Sequence, residues 1–163
     1  MIYFLSLGSN LGSRAKNLAA AVRFLRENGI EVLRASSVYE TEPVDRLDQP
    51  WFLNQILNVR SSLDPPALLG LVKSIEARMK RVPTVAKGPR TIDIDILLAG
   101  DTVLDTPDLV IPHPRLAQRN FVLVPLCEIA PETRHPVLGR TIRELLLSSP
   151  DPARVVVQKR KHS

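Results

Sequence analysis

GPRTIDIDIL, residues 88–97, alternates acids with isoleucines at the period-two spacing of a β-strand. Successive strand side chains point to opposite faces, so Thr91, Asp93 and Asp95 share one face and Ile92, Ile94 and Ile96 the other. The isoleucine face reads as core. The acid face reads as a surface, because two carboxylates about 7 Å apart repel each other unless cations or donors lie between them. Oxygen ligands at that spacing suit Mg2+, a hard cation commonly held by one or two carboxylates while substrate phosphates complete its shell. The same spacing also fits an exposed antiparallel face with salt-bridged acids, since D-x-D is a frequent coincidence.

Working upstream, Asp64-Pro65-Pro66 opens a helix, with the acid as cap and a proline where its missing N–H does no harm. Leu68, Val72, Ile75 and Met79 form its apolar stripe. A strand over residues 52–63 precedes it, with Leu53, Leu57, Val59 and Leu63 on one face and Phe52, Asn54, Ile56 and Asn58 on the other. Residues 31–39 read as another strand. Before it, Ser13 caps a helix carrying Leu18, Val22 and Leu25, which Asn28-Gly29 ends, and residues 2–7 form a first strand closed by Gly8. In chain order this is βαββαβ. The expectation is an α+β protein with a ferredoxin-like core over about residues 1–100, two helices on one face of a sheet. A proline-punctuated extension over about 101–150, with short helices near 125–129 and 142–147, is expected to wrap that core as part of a single domain. A basic tail, 151–163, follows, whose Arg154, Lys159, Arg160 and Lys161 read as solvated charge.

The 163 residues suit one domain with a full core. With 44% hydrophobic and 24% charged residues the balance is that of a globular chain, and the longest apolar runs fall well short of a bilayer span. The start, MIYFLSLGSN, lacks the basic region and cleavage pattern of a signal peptide, so a cytoplasmic location is the expectation. Cys127, the single cysteine, leaves no internal disulfide and reads as a small buried hydrophobe. A net charge of +5 suits an anionic partner, either a nucleotide or a nucleic acid. Aromatic residues make up only 4% and stand singly, unlike the platforms that stack single-stranded nucleic acid.

Further side chains suit phosphate and a flat heterocycle. IPHPRLAQRNF, residues 111–121, brings His113, Arg115, Arg119 and Phe121 into an extended loop whose donors match phosphate oxygens. Phe52 and Asn54 pair an aromatic plane with an amide that both donates and accepts. Both groups also fit structural roles, the phenylalanine as core and the histidine as a loop anchor. Glu76, with Lys73 and Lys80 at helical spacing, reads in isolation as a solvated helix face. LGSNLGS, residues 7–13, does not match the P-loop pattern and reads as a turn that shapes the fold.

Taken together, LGSNLG, SSVYETEP, DQPWFLN, GPRTIDIDIL and IPHPRLAQRNFVLVPLCEIAP, with the lengths between them, resemble the 6-hydroxymethyl-7,8-dihydropterin pyrophosphokinase family over nearly all of residues 1–147. The resemblance implies transfer of pyrophosphate from ATP to the pterin hydroxymethyl group in folate biosynthesis, with release of AMP. It implies two Mg2+ ions held by Asp93 and Asp95, with Asp93, Arg81 and Arg90 as catalytic residues. It assigns Lys73, Glu76, Arg90, His113 and Arg119 to ATP. The pterin falls to Thr41, Val44, Phe52, Asn54 and Phe121, the two rings enclosing it. The expected partners are these two small molecules, for a monomer without nucleic-acid or membrane partners. Lys87 stands where the family commonly has a tryptophan, and Pro83-Thr84 where arginine and lysine are common. The competing reading is a ferredoxin-like nucleic-acid-binding or regulatory module, which the basic charge and fold would suit.

Overall fold

Alternation along the strands decides the layering. The computed structural model describes residues 1–42, 50–79 and 91–158. In chain order the elements are β1 (Ile2–Ser9), α1 (Arg14–Glu27), β2 (Glu31–Ala35), β3 (Tyr39–Thr41), β4 (Phe52–Arg60), α2 (Pro65–Met79) and β5 (Asp93–Ala99). A hairpin, β6 (Leu104–Asp105) and β7 (Val110–Ile111), is followed by a short 3-10 turn (Leu116–Gln118), α3 (Asn120–Ile129), α4 (Ile142–Leu147) and β8 (Val155–Val157). Among the described residues, one antiparallel sheet runs in the order β5-β1-β4-β3-β8, with β2 also paired to β4.

One face of the sheet is closed by α1 and α2. Tyr3, Leu5 and Leu7 of β1, Leu53, Leu57 and Val59 of β4, and Ile94 and Ile96 of β5 bury there against Leu18, Ala21 and Leu25 of α1 and Leu68, Val72 and Ile75 of α2. The helix boundaries follow the expected chemistry. Gly29 takes a φ of 83°, the left-handed conformation that ends α1, and the Asp64 carboxylate accepts the Ala67 N–H at 3.0 Å to cap α2. The other face carries a second apolar cluster, in which Ile56, Leu97 and Leu98 meet Leu116, Val122, Leu123, Leu126, Ile142 and Leu145. A register shift where Leu5 pairs with Ile96 but Phe4 with Leu98 leaves Leu97 as an extra residue, so Leu97 and Leu98 both serve that second cluster.

Three elements differ from expectation. The strand expected over residues 31–39 is split into β2 and β3. Ala35 pairs with Leu57 but Tyr39 with Asn54, so one extra residue is accommodated. Ser36 holds the interruption, its N–H donating to the Ile56 carbonyl and its hydroxyl accepting the Ile56 N–H. Helix α3 starts at Asn120, well before Pro125. The proline cannot donate to the Phe121 carbonyl, but burial of Val122, Leu123, Leu126 and Ile129 carries the helix through it. In the tail, Val155–Val157 pairs with β3, and Arg154 engages Glu42 rather than standing as solvated charge alone. Lys159, Arg160 and Lys161 lie outside the described residues. No helix among the described residues is long and apolar enough to cross a membrane.

Candidate active site

Antiparallel partners share a face, and the register therefore builds the site floor directly. Asp93 pairs with Gly8 and Gly8 with Asn54, while Asp95 pairs with Ser6 and Ser6 with Ile56. Both aspartates thus lie on the face opposite α1 and α2, alongside the second apolar cluster, with Asp95 exposed and Asp93 half-buried. Ile94 between them, and Ile92 and Ile96 on either side, point into the main core, as the alternation requires.

Asn54 occupies the middle of that floor at 3% exposure, and its amide donates to the hydroxyl of Thr41, itself 1% exposed. Thr41 stands opposite Phe52, so amide, hydroxyl and ring form one group on neighbouring strands. Gly8 makes room for it, because a Cβ there would meet Asn54 Oδ1 at 2.7 Å and the Phe52 ring at 3.5 Å. In sequence, Gly8 reads as the end of the first strand and part of the turn that follows. A glycine inside an apolar strand, which marks close approach of another group, was the available signal. Phe121, at the start of α3, is half-buried against the second cluster, with the Arg119 guanidinium 5.5 Å from its ring centre.

The charged residues gather around Asp95. Glu76 of α2 is not a solvated face: its carboxylate accepts the Ile94 N–H at 2.9 Å and meets Lys73 at 3.3 Å. It thereby holds an outward-facing donor of edge strand β5. Partial burial among its neighbours raises the Asp95 pKa above the usual carboxylate range, and Glu76 raises it further, while Lys73 and Arg119 oppose both. Asp95 stays open to solvent, so this is a crowded carboxylate on an open sheet face rather than a core acid. At the adjoining loop, burial and then Arg119 and Arg115 lower the His113 pKa. Its Nδ1 accepts the Arg115 N–H at 3.2 Å, which leaves the neutral ring with Nε2–H as a donor.

The structure thus brings Asp93, Asp95, Lys73, Glu76, His113, Arg119 and Phe121 to one end of the sheet, with Phe52, Asn54 and Thr41 beside them. Val44, Arg81 and Arg90, like Lys87, lie outside the described residues. Among the described residues no three His, Cys, Asp or Glu side chains gather into a metal cage. Two carboxylates on an open face, one crowded by Glu76, fit a hard cation that completes its shell with phosphate or water. Two further side chains escaped sequence reading. Asn10 donates to the Pro50 carbonyl at 3.1 Å, and Arg14 donates to the Trp51 carbonyl at 2.9 Å and pairs with Glu40 at 3.4 Å, fixing the approach to Phe52.

The sequence pattern of the 7,8-dihydro-6-hydroxymethylpterin-pyrophosphokinase (HPPK) family matches residues 4–131. The chain belongs to this family. It is 44% identical over 144 residues to the 2-amino-4-hydroxy-6-hydroxymethyldihydropteridine pyrophosphokinase of Methylorubrum extorquens, covering 88% of this chain and 90% of that protein. Over 139 residues it is 43% identical to the "Folic acid synthesis protein fol1" of Pneumocystis carinii, covering 85% of this chain but only 19% of the fungal protein. A crystal structure of Plasmodium falciparum HPPK-DHPS shares the fold, with a TM-score of 0.70 at 20% identity, over 90% of this chain and 45% of that one. The HPPK unit thus occurs in relatives of about its own length and within much longer ones.

Proposed function

We propose that this HPPK-family chain transfers pyrophosphate from ATP to 6-hydroxymethyl-7,8-dihydropterin, giving the pterin diphosphate and AMP in folate biosynthesis. The observation that carries the reading is the shared floor: Asp93 lies in register with Gly8 and Asn54, and Asp95 is two residues along the same strand face, so a phosphate-facing acid pair adjoins an amide suited to a pterin edge. The pterin lies between the Phe52 and Phe121 rings, with Asn54 and the backbone around Thr41 and Val44 meeting its amino and keto groups. Lys73, Glu76, His113 and Arg119, with Arg81 and Arg90, serve ATP.

In the reaction the pterin hydroxymethyl oxygen attacks the β-phosphorus of ATP. The bond from that phosphorus to the α–β bridging oxygen breaks, and AMP leaves with the bonding electrons. An Asp93 carboxylate oxygen accepts the hydroxyl hydrogen bond, orients the attack and takes the proton as the O–P bond forms, passing it on to solvent. His113, held neutral, donates from Nε2 to a phosphate oxygen, and Arg119 adds charge-assisted donors. Two Mg2+ ions held by Asp93 and Asp95 would neutralise charge on the phosphate oxygens.

In the same reading, the strand order β5-β1-β4-β2 with two helices on one face represents a ferredoxin-like core. Residues 101–150 form its wrapping extension, and the chain acts as a cytoplasmic monomer. Purified protein with Mg-ATP should form AMP and pterin diphosphate in equal amounts only when the hydroxymethyl dihydropterin is present. ADP as the sole product, or AMP formation independent of pterin, would overturn the assignment.

A further inference from the structure

Helix α3 begins without a cap of its own, since the Arg119 side chain makes no capping hydrogen bond. The role passes to a residue far along the chain. Asp151 Oδ2 accepts the Asn120 N–H at 2.8 Å, the Asp151 carbonyl accepts from Asn120 Nδ2 at 3.0 Å, and Asp151 Oδ1 takes the Ala153 N–H at 2.9 Å. A carboxylate there satisfies a donor the helix leaves unpaired and complements the positive end of its dipole. The helical turn so fixed carries Arg119 and Phe121 on either side of Asn120.

Three residues later the same segment grips the opposite wall. The Arg154 N–H and Nε donate to Glu42 Oε1 at 2.6 and 3.2 Å, and the Glu42 N–H donates to the Arg154 carbonyl at 3.2 Å. The Arg154 guanidinium lies 5.0 Å from the Trp51 ring centre. Val155 then pairs with Thr41, the residue whose hydroxyl holds Asn54. One short stretch therefore ties the start of α3 to the end of β3, and both its polar anchors lie beyond residues 4–131, the stretch matched by the family pattern.

We infer that residues 151–157 form a clasp that fixes the separation of the two pterin-binding walls, with Asp151 and Arg154 as positioning residues for the pterin. The inference rests on the proposed pterin site at Phe52, Asn54 and Phe121. The test is equilibrium binding of the hydroxymethyl dihydropterin, followed by fluorescence with a non-hydrolysable ATP analogue and magnesium, alongside binding of the analogue itself and the melting temperature. Asp151→Ala and Glu42→Ala, the latter removing the carboxylate that accepts both Arg154 donors, should each weaken pterin binding about fivefold to tenfold, with analogue affinity unchanged. Asp151→Asn should fall between, because an amide keeps one of the two acceptor oxygens. If Asp151→Ala fails to fold, Glu42→Ala still decides, since it removes only the acceptor of the Arg154 N–H and Nε. Phe121→Ala serves as the reference. Wild-type pterin affinity in both clasp variants while Phe121→Ala loses it, or equal weakening of pterin and analogue, would overturn the clasp. Wild-type pterin affinity in Phe121→Ala would instead remove the pterin site, and the clasp with it.

Discussion

The two faces of the central sheet are built from the same strands and do different work. On the side of α1 and α2, Leu5, Leu7, Leu57, Ile94 and Ile96 close a continuous apolar layer. On the other side the apolar layer under α3 and α4 gives way to Asp93, Asp95, Gly8 and Asn54. Ile94 sits between the two aspartates in sequence and on the opposite face in space, so one strand supplies core on one side and charge on the other. Repulsion among the acids is borne by a strand already fixed by burial behind it and by Glu76 at its edge.

The sharpest way to break the comparison is to change adjacent residues of β5. Asp93→Ala or Asp95→Ala should lower turnover by about a thousandfold or more, a loss of several kcal/mol in transition-state stabilisation, while the melting temperature holds or rises. Turnover near wild type in either variant would remove that acid from the chemistry. Ile94→Ala should do the reverse, costing about 2–5 kcal/mol of stability in urea unfolding with little change in turnover of the folded fraction. A catalytic loss in Ile94→Ala as large as that of Asp93→Ala would mean the two faces are not separable.

The core face was the more legible of the two, since period-two and helical spacing identified Ile92, Ile94, Ile96, Leu68, Val72, Ile75 and Met79, and all are buried. The acids were equally visible as a break in that pattern. What sequence reading missed depends on pairings it does not contain. Glu76 passed as a solvated residue because its partner is the backbone of a strand 18 positions away. The break between β2 and β3 hides in Ser36, which bonds Ile56 across the sheet, and Ser37, whose N–H and hydroxyl turn to the Glu128 carboxylate, and β8 lies in a stretch whose charges mask three valines. Gly8 read as a turn because the group that needs its empty space, Asn54, arrives from across the sheet.

That empty space gives the next test. In Gly8→Ala the methyl would lie 2.7 Å from Asn54 Oδ1, so the buried amide must move. Overpacking of this kind costs about 1–3 kcal/mol, and we expect pterin affinity to fall by about tenfold with ATP-analogue affinity retained. Equal loss of both ligands would place the strain in the sheet as a whole instead of in the Asn54 corner.

The smallest expected effect separates two histidines. Burial lowers the pKa of both His113 and His135, with Arg119 and Arg115 adding to it at His113. In each, Nδ1 accepts backbone N–H groups, from Arg115 at His113 and from Val137 and Leu138 at His135, which a protonated ring cannot do. Between the folded pKa values and the unfolded value of about 6.5, the unfolded chain binds more protons, so stability rises with pH across that window and is lost as pH falls through it. Each group contributes at most about 1.4 kcal/mol per pH unit. His113→Asn keeps an acceptor for the Arg115 N–H and removes one titration, so unfolding free energies measured across pH 5–7 should rise less steeply, with the His135 contribution left. A phosphate-bearing ligand favours the protonated ring at the site and has no such effect at His135. An ATP analogue should therefore flatten the slope in wild type but not in His113→Asn, and equal flattening in both would take His113 out of the phosphate-binding group.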